Sequence, residues 1–128
     1  MKNRQEEINL LNTQLITSLI VIITVILSLV LTYNQKLDIQ NKKTIFTKKQ
    51  THNISYINRL TILITTSIFL FINYKLYLIS KKEGEDLLVY RLQITASILS
   101  IIAAIIVFYV VTIEPTGENI SDIENPVI

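Results

Sequence analysis

The sequence predicts an all-α integral membrane protein with three transmembrane helices, the second and third forming a tight antiparallel hairpin, and three observations carry that prediction. Its 128 residues are 50% hydrophobic and only 17% charged, with a mean hydropathy of +0.46, whereas soluble domains are charged at nearer a quarter of their positions. The apolar residues are also blocked. No charged residue occurs from Ile8 through Gln35, which is 28 positions, nor from Leu92 through Ile113, which is 22; about 20 mostly apolar residues cross roughly 30 Å of hydrocarbon. Finally, these two runs carry leucine, isoleucine or valine all round, whereas a helix of a soluble bundle keeps one polar face.

The elements follow in order. Residues 1–9 form a polar lead. Its basic start, MKNR, is that of a secretory signal, but the apolar run behind it is too long and LVLTYNQK offers no small-x-small cleavage site, so residues 10–33 read as an uncleaved first span. A lysine-rich connecting loop, 34–55, follows. The second span, 56–80, is the weakest: only 15 uncharged residues separate Arg59 from Lys75, roughly 22 Å of helix. It reaches full length when Lys75, near its end, lifts its ammonium toward the headgroups while LYLIS continues the helix. The turn 81–86, KKEGED, supplies Gly84 for a left-handed helix end and Asp86 as an N-cap. So short a turn makes the second span and the third, 87–113, antiparallel neighbours. Residues 114–128 contain both prolines, one of the two glycines and four acids, the composition of a disordered acidic tail.

Polar and small residues inside the spans fall into stripes at 100° per residue. Thr13, Thr17, Thr24 and Ser28 share a face of the first span; Arg59, Thr66, Asn73 and Tyr77 share one on the second; Gln93, Ala96, Ser97, Ser100 and Ala104 share one on the third. Apolar helices gain little by hiding from lipid, so they associate through close approach at small residues and hydrogen bonds between polar side chains. The stripes are therefore expected to face one another, with Thr17, Thr24, Ser28, Thr66, Asn73, Gln93, Ala96, Ser100 and Ala104 as packing residues. Asn73, a carboxamide deep in a span, is expected to bond Gln93 across the hairpin. The competing reading of such stripes is a water path or ion site.

Catalytic chemistry finds little footing. The chain has no cysteine, which removes thiol catalysis, disulfides and thiolate metal sites. His52 is the single histidine, read as a solvated loop residue, and no acid lies within a span to serve a carboxylate proton relay. Two glycines cannot make a glycine-rich phosphate loop. No catalytic residue, metal, cofactor or nucleic-acid partner is expected, and the chain reads as non-enzymatic.

Orientation turns on the five lysines of the connection, Lys36, Lys42, Lys43, Lys48 and Lys49. Three spans place Lys2, Arg4, Lys75, Lys81, Lys82 and Arg91 on one side, against those five and Arg59 on the other, so the count is tied. Since the flanks of the first span often dominate, the lysines favour a cytoplasmic loop, with the N-terminus outside and the tail inside. There they are expected to fix orientation or to meet anionic lipid headgroups. The richness in isoleucine, asparagine and lysine points to an A+T-rich, bacterial genome and so to a multi-pass protein of the cell membrane. Two function classes fit: an accessory or partner-stabilising subunit of a membrane complex, or a pore former, such as a holin or small channel, acting as a homo-oligomer.

Overall fold

The computed structural model describes residues 2–113, with side chains from Arg4 onward, and the expected acidic tail lies outside the described residues. Those residues form three helices and no strand: α1 (Lys2–Ile39), α2 (Lys48–Lys82) and α3 (Leu88–Ile113). Each contains a stretch long and apolar enough to cross a membrane. Their 38, 35 and 26 residues give about 57, 52 and 39 Å of helix at 1.5 Å per residue. All exceed the hydrocarbon thickness, so α1 and α2 carry polar turns beyond it. The polar lead is helical from Lys2, and only residues 40–47 of the lysine-rich segment lie outside α1 and α2.

The ends of these helices are written in local chemistry. Asn41, at φ +58°, closes α1 in the left-handed region. The Lys42 amide then bonds the Leu37 carbonyl and the Asn41 amide that of Asp38, the paired bonds of a Schellman end. Gly84, at φ +72°, ends α2 in the same way, with Glu85 bonded to Ser80 and Gly84 to Lys81. Between them, Thr47 and Gln50 start α2 with a reciprocal capping box. Asp86 Oδ1 accepts from the Leu88 amide at 3.1 Å and starts α3.

α2 is the central element. It packs against both α1 and α3, while α1 and α3 do not pack against each other. Burial recurs at seven-residue intervals: Leu10, Thr17 and Thr24 on α1; Asn58, Thr65, Ile72 and Ile79 on α2; Ser97, Ala104 and Val111 on α3. A seven-residue repeat is the spacing at which helices stay in contact through a left-handed supercoil. On α2 the line 58–65–72–79 meets α1, since Asn58 bonds Ser28 and both Ile72 and Ile79 cluster with Leu10. The adjacent line 59–66–73 meets α3, since Asn73 bonds Ser97 and Arg59 shares a groove with α3. Neighbouring residues on a helix are 100° apart. With axes about 8–10 Å apart at each contact, α1 and α3 sit roughly 13 Å from each other across the bend.

The pairings Asn34–Thr51, Asn58–Ser28, Asn73–Ser97 and Tyr56–Phe108 fix the register of the three helices. That register gathers all six tyrosines of the chain into two belts: Tyr33, Tyr56 and Tyr109 toward the lysine-rich end, and Tyr74, Tyr77 and Tyr90 toward the tight turn. Along α2 the belts are about 20 residues apart, or roughly 30 Å, the thickness of the hydrocarbon core. Tyrosine favours that boundary because its ring is apolar and its hydroxyl is wet. Lys75 lies at the second belt, its Nζ 5.6 Å from the Phe71 ring.

Candidate functional site

Several polar side chains of the spans are buried at the helix interfaces, and α1 supplies the first group. Thr17 and Thr24 are buried, and Ser28 is half-buried. Each hydroxyl donates to its own helix: Thr17 to the Thr13 carbonyl, Thr24 to that of Val21, Ser28 to that of Thr24. This back-bonding satisfies the hydrogen without a partner helix and leaves the oxygen free to accept. Ser28 Oγ uses that capacity, accepting from Asn58 Nδ2 at 3.0 Å. Thr13 is exposed.

At the lysine-rich end Asn34 joins three segments. It is 4% exposed. Its Oδ1 accepts from the amides of Ile45 (2.8 Å) and Phe46 (2.9 Å), and its Nδ2 donates to Thr51 Oγ1 at 3.2 Å. One carboxamide thus clasps α1, the connection and the first turn of α2. Around this clasp Lys36, Lys42, Lys43 and Lys49 are exposed and Lys48 half-buried, so the five lysines lie together at one end of the bundle. His52 sits in the second turn of α2, half-buried and with Nδ1 shielded from solvent, so it is neither in a loop nor freely solvated; the helix starts eight residues earlier than the expected span because its first turns are polar.

On the α2/α3 side the expected bond from Asn73 to Gln93 is replaced. Asn73 Nδ2 donates to Ser97 Oγ at 2.6 Å, and Gln93 is exposed. The register set by the turn puts Ser97, one turn farther along α3, opposite Asn73. Thr66 is half-buried and bonds the carbonyls of Ile62 and Leu63. Ala104 is buried, whereas Ala96 and Ser100 are exposed. The small-residue line thus meets α2 through Ser97 and Ala104, while Gln93, Ala96 and Ser100 stay exposed, Ser100 beside α2.

Comparison of the chain with protein-family models, with curated proteins and with solved structures finds no match. The chemistry of the side chains therefore carries the reading.

Sequence reasoning passed over Asn34, Asn58 and Thr65, three of the most deeply buried polar residues. Asn58 and Thr65 are each 2% exposed. Their signal was the seven-residue spacing that continues into Ile72 and Ile79. Asn58 Oδ1 is buried with no hydrogen-bond partner among the described residues. Beside Asn58, on the α3-facing line, lies a shallow open groove of about 260 Å³, lined by Arg59, Ile62, Ser100, Ala103, Ala104 and Val107. Among the described residues no group of three His, Cys, Asp or Glu gathers as a metal site would require.

Proposed function

We propose that the chain is a non-enzymatic multi-pass membrane protein that acts as an accessory or partner-stabilising subunit of a larger membrane complex. The observation supporting this reading is how the intramembrane polar groups are used. Hydroxyls of Thr17, Thr24, Ser28, Thr66 and Ser100 return to backbone carbonyls of their own helices, and Asn58 and Asn73 bond across helix interfaces. Hydroxyl hydrogens returned to their own helix, and amides bonded to a neighbouring helix, are not free to line an aqueous path. α1 and α3 meanwhile keep large outward apolar faces, with Leu15, Leu19, Ile23, Leu92, Leu99 and Ile106 among the exposed residues. These surfaces suit lipid and apolar partner helices. Controlled expression in cells carrying a membrane-potential dye tests the reading. Growth without leakage is expected, and abrupt depolarisation at the onset of accumulation would replace it with the holin-like or channel reading.

A further inference from the structure

The α2/α3 groove combines two features that the helix interfaces do not explain. It is open, because α3 offers nothing larger than valine there, and two of its small lining residues, Ser100 and Ala103, are exposed rather than packed. It also carries a charge. Arg59 lines it, one helical turn inside the tyrosine belt at the lysine-rich end, and neither α2 nor α3 contains an acidic residue to neutralise it. A guanidinium at the edge of the hydrocarbon is costly without a counter-ion and is normally paired.

The groove is graded along its length. Arg59 and Val107 mark its outer end near the belt; in the antiparallel register, Ile62, Ala104, Ala103 and Ser100 lie progressively deeper. The Ser100 hydroxyl already donates to the Ala96 carbonyl at 2.9 Å. The other lining side chains are apolar, which leaves Arg59 as the group that recognises a polar ligand. A cation outside and a small-residue furrow inside reproduce the polarity of one phospholipid: phosphate at the boundary, acyl chain toward the midplane. Guanidinium pairs with phosphate oxygens in a two-pronged geometry that an ammonium cannot match. We propose that this groove is a binding site for one anionic phospholipid, its phosphate paired with Arg59 and an acyl chain lying along Ile62, Ala103, Ala104 and Ser100. The exposed lysines of the same end hold an anionic leaflet near by, but they are not the site. The proposal depends on membrane embedding and not on the accessory role: depolarisation on expression would remove that role and leave this site untouched.

Native mass spectrometry of the full chain, released from mild detergent with phosphatidylglycerol or phosphatidylcholine, tests it. One retained phosphatidylglycerol per chain is expected, with phosphatidylcholine retained at least tenfold less. Arg59→Gln should lower phosphatidylglycerol retention about tenfold and Arg59→Lys less. Ala103→Leu, at an exposed position the fold tolerates, should lower it similarly by filling the furrow while leaving the charge in place. Retention unchanged in both Arg59→Gln and Ala103→Leu would overturn the site. So would loss of retention on changing the five lysines to glutamine with Arg59 intact, which would mean surface attraction alone. Equal competition by soluble glycerophosphoglycerol would mean a site for a free anion. A tenfold rise in retention in the Glu114→Gln, Glu118→Gln chain would mean that the tail occupies the groove. A dimer dispersed by Ala103→Leu without added lipid would mean that a second copy does.

Discussion

α2 meets its two neighbours through lines of residues at the same seven-residue spacing, yet the two interfaces are unlike. Against α1 the contact is held at both ends: Leu10 packs with Ile72 and Ile79 toward the tight turn, and toward the lysine-rich end Asn58 bonds Ser28 and Asn34 clasps the connection. Against α3 it is pinned at two places, by Asn73–Ser97 and by the Tyr56–Phe108 ring contact at 5.2 Å, and between them it opens into the groove at Arg59. The contrast separates two roles of sequence. Spacing decides which faces meet, and side-chain volume at the seam decides whether the meeting closes. In a bilayer the second point weighs more, because lipid fills what helices leave open at little cost.

The largest effect is expected at the polar clasp between α1 and α2. Asn34→Ala removes three hydrogen bonds and leaves the Ile45 and Phe46 amides without their acceptor; a loss of about 2–3 kcal/mol is expected, since each shielded unsatisfied group costs about 1–3 kcal/mol. Unfolding of the purified protein in detergent reads the loss, and hydrogen exchange at Ile45 and Phe46 should rise with it. An unchanged midpoint would show that water replaces the clasp.

At the open interface the effect depends on which small residue grows. Ala104→Leu forces bulk into a buried contact and should cost about 1–3 kcal/mol, whereas Ala96→Leu, at an exposed position of the same line, should leave thermal aggregation in detergent near that of the unaltered chain. Equal losses from both would mean that the outward part of the line is itself covered, by a second copy or a partner helix.

The smallest effect belongs to the Asn73–Ser97 hydrogen bond, one of the two pins of α3. Asn73→Leu and Ser97→Ala should each weaken the hairpin by about 0.6–1.7 kcal/mol, the range for such bonds within membranes. Because they remove the same bond, the double variant should lose little more than either alone. Additive losses in that cycle would sever the proposed coupling.

How much of this was legible in the sequence follows from what each signal depends on. The three helices were, because runs such as Ile8 to Gln35 and Leu92 to Ile113 are set by hydrocarbon thickness alone. The Gly84 turn was too, since a left-handed helix end favours that residue type. The extensions of α1 to Ile39 and of α2 back to Lys48 were not, because polar helix turns beyond the membrane carry no hydropathy signal; the Thr47–Gln50 capping box marked the boundary but is short. On α2 two adjacent lines both carry polar residues, 58–65 and 59–66–73. The second was the more visible because it stays polar longer, and the first turns apolar at Ile72. Both are used, one for each neighbour. The partner of Asn73 depended on register, which a hairpin turn fixes only once its helix ends are known to the residue.

The central claim is that three spans cross the bilayer, with residues 40–47 on one side and the turn after α2 on the other. The chain's lack of cysteine makes a labelling test clean. Thr44→Cys and Glu85→Cys are each exposed to an impermeant thiol reagent in intact cells and again after permeabilisation; Glu85 is used because Gly84 occupies a left-handed conformation that a side chain would strain. Opposite responses are predicted, with Glu85→Cys labelled in intact cells and Thr44→Cys only after permeabilisation. The reverse pair would keep the three spans and invert the favoured orientation. If both cysteines are labelled in intact cells, or both are protected, α2 does not cross the membrane, and the account is contradicted.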